Sequence, residues 1–208
     1  FHMARARANF ERAAKAAGGT PMQIVNAPMG LRPWFQPRVE DFLPSREGSL
    51  QVEMLSAARR AGALAVALPG ELALLFAEVA ADTPVVVLQN LGIAIAPLWH
   101  YAVLVGYEFD EGNARVVLRS GTTRREVMAL DLFERSWARG GHWAFAALPP
   151  GRLPASAREA NALAAALGFE RAGASATQRA AVYDSLLARW PGQLGALIGQ
   201  GQARADQG

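Results

Sequence analysis

The spacing of apolar residues changes twice along this chain, from helical to strand-like and back, and that limits the fold more than any other feature. Pro84-Val85-Val86-Val87-Leu88 is a continuous β-branched run, the pattern of a strand covered on both faces. Tyr101 to Tyr107 forms a second strand and Ala114 to Arg119 a third, joined by the acidic turn Asp110-Glu111-Gly112-Asn113. Arg124 to Leu130 and Trp143 to Leu148 complete an antiparallel sheet, with a short helix over Leu132 to Ala138 between them. Upstream, Ser49 is placed to cap a helix with the stripe Leu50, Met54, Leu55, Ala58 and Ala61, ending at Gly62. Leu64 to Leu68 is a short strand, and Glu71 to Ala81 a second helix with Leu72, Leu75, Phe76 and Val79 on one face. Helices followed by a strand meander predict an α+β domain.

Pro149-Pro150-Gly151 punctuates the chain, and helical patterns follow over Ala155 to Leu167, Ala174 to Trp190 and Gln193 to Ala205. The expected division is a domain over 1–150 and a helical tail over 151–208. Near the start, Asn9 to Lys15 has helical spacing, Gly18-Gly19-Thr20-Pro21 breaks it, and Met22, Ile24 and Val25 restart it until Pro28. Leu31 to Arg46 holds Pro33, Pro37 and Pro44 and reads as irregular, anchored by Trp34, Phe35 and Phe42.

At 208 residues and 51% apolar, the chain can bury one sizeable core. No apolar run approaches the roughly 18 residues that span a bilayer, so no membrane span is expected. The net charge of +3 suggests an anionic partner at first sight. Lys15 is the only lysine, however, and the arginines are spread among abundant alanine, which reads as coding bias rather than a phosphate footprint. No nucleic-acid partner is expected. Gly18-Gly19-Thr20 lacks the lysine and length of a phosphate loop, and the internal histidines His100 and His142 have no metal-ligand spacing, so neither a cofactor nor a metal is expected. Cysteine is absent, which removes disulfides and thiolate chemistry from these residues. Phe1-His2-Met3 reads as a vector-derived scar rather than a signal peptide, and export stays open.

The polar residues beside the apolar strands are the chemical candidates. Gln89 and Asn90 leave the first strand, and His100 stands before the next one, after Pro97-Leu98-Trp99. An imidazole at a strand entrance, braced by an indole, is the best general base in the chain; the alternative is a satisfied histidine at a sheet edge. His142, in Gly140-Gly141-His142-Trp143, reads as a turn residue.

The stretch Pro84 to Asn90, followed by Leu98-Trp99-His100-Tyr101-Ala102-Val103-Leu104-Val105-Gly106-Tyr107, resembles the histidine half of the bacteriocin-processing, double-glycine type of papain-like cysteine peptidases. Residues 45–151 carry the resemblance, which is closest to exported bacterial relatives with tetratricopeptide-type helices after the peptidase domain. It implies a papain-like fold, peptide-bond cleavage or a related acyl transfer on a peptide or protein, and a periplasmic or otherwise exported location, with a cytoplasmic one as the alternative. His100 takes the place of the catalytic base. Ser120 stands where an Asp or Asn would orient the imidazole, with Asp110 as the alternative orienter. The nucleophilic cysteine, at the start of a helix, falls at Ala17, and the glutamine of the oxyanion hole falls at Glu11. Both positions depart from the family, so thiol peptidolysis is closed to these residues. Three accounts stay open: an engineered alanine, an evolved pseudopeptidase, or an amino-terminal segment unlike the natural one. The tail over Ala180 to Pro191 and Leu194 to Gly201 is similar to a tetratricopeptide repeat, and implies a groove for a peptide or a protein partner. An ordinary helical hairpin packed on the core is the competing reading.

Overall fold

Six consecutive buried residues in Val85–Asn90 (β3) show why that run forms an interior strand: no face of it meets water. It lies in a computed structural model that describes residues 22–24, 50–93, 95–110 and 113–208. The described elements are β1 (Met22–Ile24), α1 (Gln51–Arg60), β2 (Leu64–Ala67), α2 (Leu72–Ala80), β3, β4 (Trp99–Asp110), β5 (Asn113–Ser120), β6 (Thr123–Ala129), α3 (Leu130–Arg139), β7 (Ala144–Leu148), α4 (Glu159–Arg171), α5 (Ala176–Arg189) and α6 (Leu194–Ala205). The class is α+β, with an antiparallel sheet and six described helices. The described residues divide into two compact units, one of 22–24 and Leu68–Phe145, the other of 50–67 and Ala146–Gly208.

In the first unit the strand order is β3–β4–β5–β6, with β1 alongside β4. The pairs β3–β4, β4–β5 and β5–β6 are antiparallel, as consecutive strands joined by short connections should be. The β3–β4 register sets Gln89 opposite His100 and Asn90 opposite Trp99. Helix α3 buries Phe133, Ser136 and Trp137, the i, i+3, i+4 stripe that packs onto a sheet. Its buried Trp137 donates from Nε1 to Trp143 O at 2.9 Å, so the indole is inserted without leaving its N–H unpaired.

In the second unit, Leu64 and Val66 of β2 join Ala162, Ala165, Ala166 and Phe169 of α4, Val182, Tyr183 and Leu186 of α5, and Ala196 of α6 in one core. Ser175 accepts from Gln178 N–H while the Gln178 side chain accepts from Ser175 N–H, a reciprocal cap that fixes where α5 begins. Tyr183 donates to Glu170 Oε2 at 2.6 Å. Burial, and then that hydrogen bond to Glu170, hold its phenol above its ordinary range. The stabilisation tied to this proton is complete below the free tyrosine value near 10, and it is lost as pH rises beyond it. Urea midpoints of the wild-type protein are therefore expected to fall above pH ~10, and those of Tyr183→Phe to fall less steeply. Equal slopes for the two proteins would remove Tyr183 as the cause.

Several boundaries differ from the expectations. Met22–Ile24 is a strand, antiparallel to residues 106–108 of β4, not a resumed helix. Three residues are too few for helical spacing to outweigh pairing with a distant strand. Gln89 and Asn90 lie inside β3, and His100 lies inside β4 rather than before it. Leu50 occupies the N-cap of α1, and Ser49 falls outside the described residues. Helix α4 starts at Glu159 and passes through Gly168, where a Cβ would come within 2.6 Å of the Arg59 guanidinium. The expected features at Asn9 to Pro21 and Leu31 to Arg46 also lie outside the described residues.

Candidate functional site

His100 and Ser120 are 20 positions apart in sequence and meet across the β4–β5 ladder, with Nε2 and Oγ 2.7 Å apart. β4 and β5 run antiparallel, so the first residues of one approach the last residues of the other. Both side chains are half-buried, which keeps the imidazole within reach of a ligand while fixing its orientation. When Nε2–H donates to Ser120, the lone pair of the neutral ring stays on Nδ1, the arrangement a general base requires. A serine hydroxyl can hold that tautomer but supplies no negative charge for an imidazolium.

Asp110 does not share this place. It is at the other end of β4, ten residues from His100 and so about 30 Å away along the strand. Its backbone pairs with Asn113. Trp99 does not brace the imidazole either, because successive side chains of a strand point to opposite faces, and this indole is 56% exposed. Glu11 and Ala17 fall outside the described residues.

Gln89 and Asn90 are committed to architecture. Gln89 is buried and donates from Nε2 to Ser136 Oγ at 2.7 Å, and Ser136 in turn donates to Phe133 O at 2.8 Å. This chain of bonds fastens α3 to β3 and satisfies an amide that would otherwise be costly to bury. Asn90 Oδ1 accepts from Gly92 N–H and Leu98 N–H, both at 3.0 Å. Its backbone oxygen accepts from Arg139 Nε and Nη2 at 3.0 and 2.8 Å. His142 adopts a left-handed backbone with φ of 54° and sets its ring edge-on to Trp137, as a turn residue.

Among the described residues no group of His, Cys, Asp and Glu is arranged to hold a metal ion, and no helix is long and apolar enough to cross a membrane. The connection between β3 and β4 is a surface that the strand and helix patterns do not announce. Leu91, Ile93, Ile95, Leu98 and Trp99 are all exposed there. The signal was present in the sequence: a connection that should be rich in Gly, Asn, Asp and Ser instead carries large apolar side chains and no charge. No known protein family, curated protein or solved structure matches this chain.

Proposed function

We propose that this chain is a papain-like, peptidase-related protein that holds a peptide or protein segment beside His100. The observation that supports the reading is the 2.7 Å contact between His100 Nε2 and Ser120 Oγ, which leaves Nδ1 as the proton-accepting nitrogen when Nε2–H is the donor. The sequence resemblance gives the same two residues the roles of base and orienter. The corresponding reaction is nucleophilic cleavage of a peptide bond, with a cysteine at position 17 as attacking group and position 11 at the oxyanion. With alanine at 17, glutamate at 11 and no cysteine in 208 residues, this polypeptide binds without cutting. The strand at Met22–Ile24 favours the binding reading, since the resemblance calls for a helix there. The helices over 159–205 serve as the tetratricopeptide-like partner surface, and the location is exported.

Restoring the thiol tests this reading. Ala17→Cys is expected to react with a thiol-directed peptide probe at neutral pH, with His100→Ala slowing labelling roughly a hundredfold or more and Ser120→Ala slowing it less. Labelling that is indifferent to His100 would overturn the assignment of the base. No labelling of Ala17→Cys at all would end the enzymatic ancestry and leave a binding module.

A further inference from the structure

The β3–β4 connection departs from ordinary loop chemistry in three ways. First, it is apolar and outward-facing: Ile95 is 91% exposed, Ile93 and Leu98 each 61%, and Leu91 and Trp99 are exposed beside them. No ionisable side chain occurs from Leu91 to Trp99. Second, its backbone is largely satisfied from within. Leu91 N–H donates to Leu98 O at 2.8 Å, and Ile93 and Ala96 exchange bonds at 3.2 and 3.1 Å. Gly92 and Leu98 donate to Asn90 Oδ1, and Pro97 has no N–H to satisfy. The turn is close-fitting, because a Cβ on Gly92 would lie 2.2 Å from Ala96 O. Third, it is flanked by cations. Arg139 is anchored on Asn90 O at the base of the connection. Arg119 and Arg124 flank the β5–β6 turn, which lies at the same end of the sheet because Ser120 meets His100 there. Among the described residues no carboxylate pairs with Arg119, Arg124 or Arg139; Arg125 is engaged by Glu108, and Glu126 is the acid nearest the turn on β6.

A tip in which the N–H groups of Leu91, Gly92, Ile93, Ala96 and Leu98 are already bonded can take those groups out of water without losing their hydrogen bonds, which eases entry into a lipid interface. A peptide site, by contrast, is concave and offers free backbone groups. The cations around the base match anionic headgroups, and Trp99 sits where an indole favours the boundary between lipid and water. We infer that residues 91–93 and 95–99 form a membrane-interface anchor that inserts Ile93, Ile95 and Leu98 into a bilayer surface carrying anionic lipid. The anchor holds whether or not His100 belongs to a peptidase site.

The absence of cysteine allows a direct test on the full chain. Ile95→Cys labelled with an environment-sensitive fluorophore is expected to shift to the blue on adding vesicles of mixed phosphatidylcholine and phosphatidylglycerol. The same label on Gln202→Cys is expected not to shift. In cosedimentation, Ile95→Glu should bind these vesicles roughly tenfold or more weakly, and Arg124→Gln about fivefold more weakly, both with unchanged melting temperature. His100→Ala should bind like wild type. Wild-type binding by Ile95→Glu, or equal binding to pure phosphatidylcholine, would overturn the proposal. So would a tip that serves self-association instead, seen as Ile95→Glu converting a dimer to a monomer in sedimentation with no vesicle binding.

Discussion

Gly140→Ala is expected to destabilise the protein by about 3 kcal/mol and to lower its melting temperature by roughly 10 °C. The added Cβ would stand 2.1 Å from Leu88 O, 2.9 Å from Leu88 C and 3.1 Å from Trp137 O. All three are backbone atoms, so no side chain can rotate away. The backbone at Gly140 has φ of −81°, which alanine adopts freely, and the penalty is therefore steric rather than conformational. Relief requires the end of α3 to move off β3. That movement would strain the bonds from Arg139 to Asn90 O and from Gln89 to Ser136 Oγ. Thermal melting followed by circular dichroism checks this, and a variant that melts with wild type would mean that the helix end is not seated against Leu88.

In the second unit, Gly199→Ala is expected to cost about 2 to 3 kcal/mol, although alanine is the better helix former by about 1 kcal/mol. A Cβ there would fall 2.2 to 2.7 Å from three atoms of the Tyr183 ring. Tyr183 is buried in the core of the unit and held at its hydroxyl by Glu170, so its ring cannot retreat without losing that bond or displacing neighbours. Gly201, two residues along the same helix, has nothing within 4 Å of its Cβ position, and Gly201→Ala should be neutral or slightly stabilising. The cycle with Tyr183→Ala isolates the contact. Once the ring is removed, Gly199→Ala should cease to destabilise and begin to stabilise, a change of sign that helix propensity alone does not give. Urea unfolding of the four proteins measures it; additive effects would show that the ring and the glycine do not press on each other.

The parts of this molecule legible in its sequence are those decided by neighbours along the chain. The Val85 to Leu88 run reads as an interior strand, and the patterns over Leu132 to Ala138 and Ala174 to Trp190 read as helices, because each signal is local. What escaped depends on distant partners. Gln89 belongs to the interior only because Ser136, 47 positions away, receives its amide. Met22 to Ile24 is extended because β4 offers it hydrogen bonds, and Gly168 stays helical with Arg59 against it. At the candidate site, His100 stood out as a base beside an apolar strand and Ser120 was named only through the resemblance, because their contact depends on the β4–β5 register, which no local pattern carries.

The second unit draws its core from two stretches far apart in the chain, Leu64 and Val66 being covered by Ala162 to Ala196. During ribosomal synthesis those two β2 residues emerge roughly a hundred residues before the helices that enclose them. Until then they present an apolar surface to the surrounding medium, so this half of the molecule cannot mature in step with translation and depends on late, long-range closure.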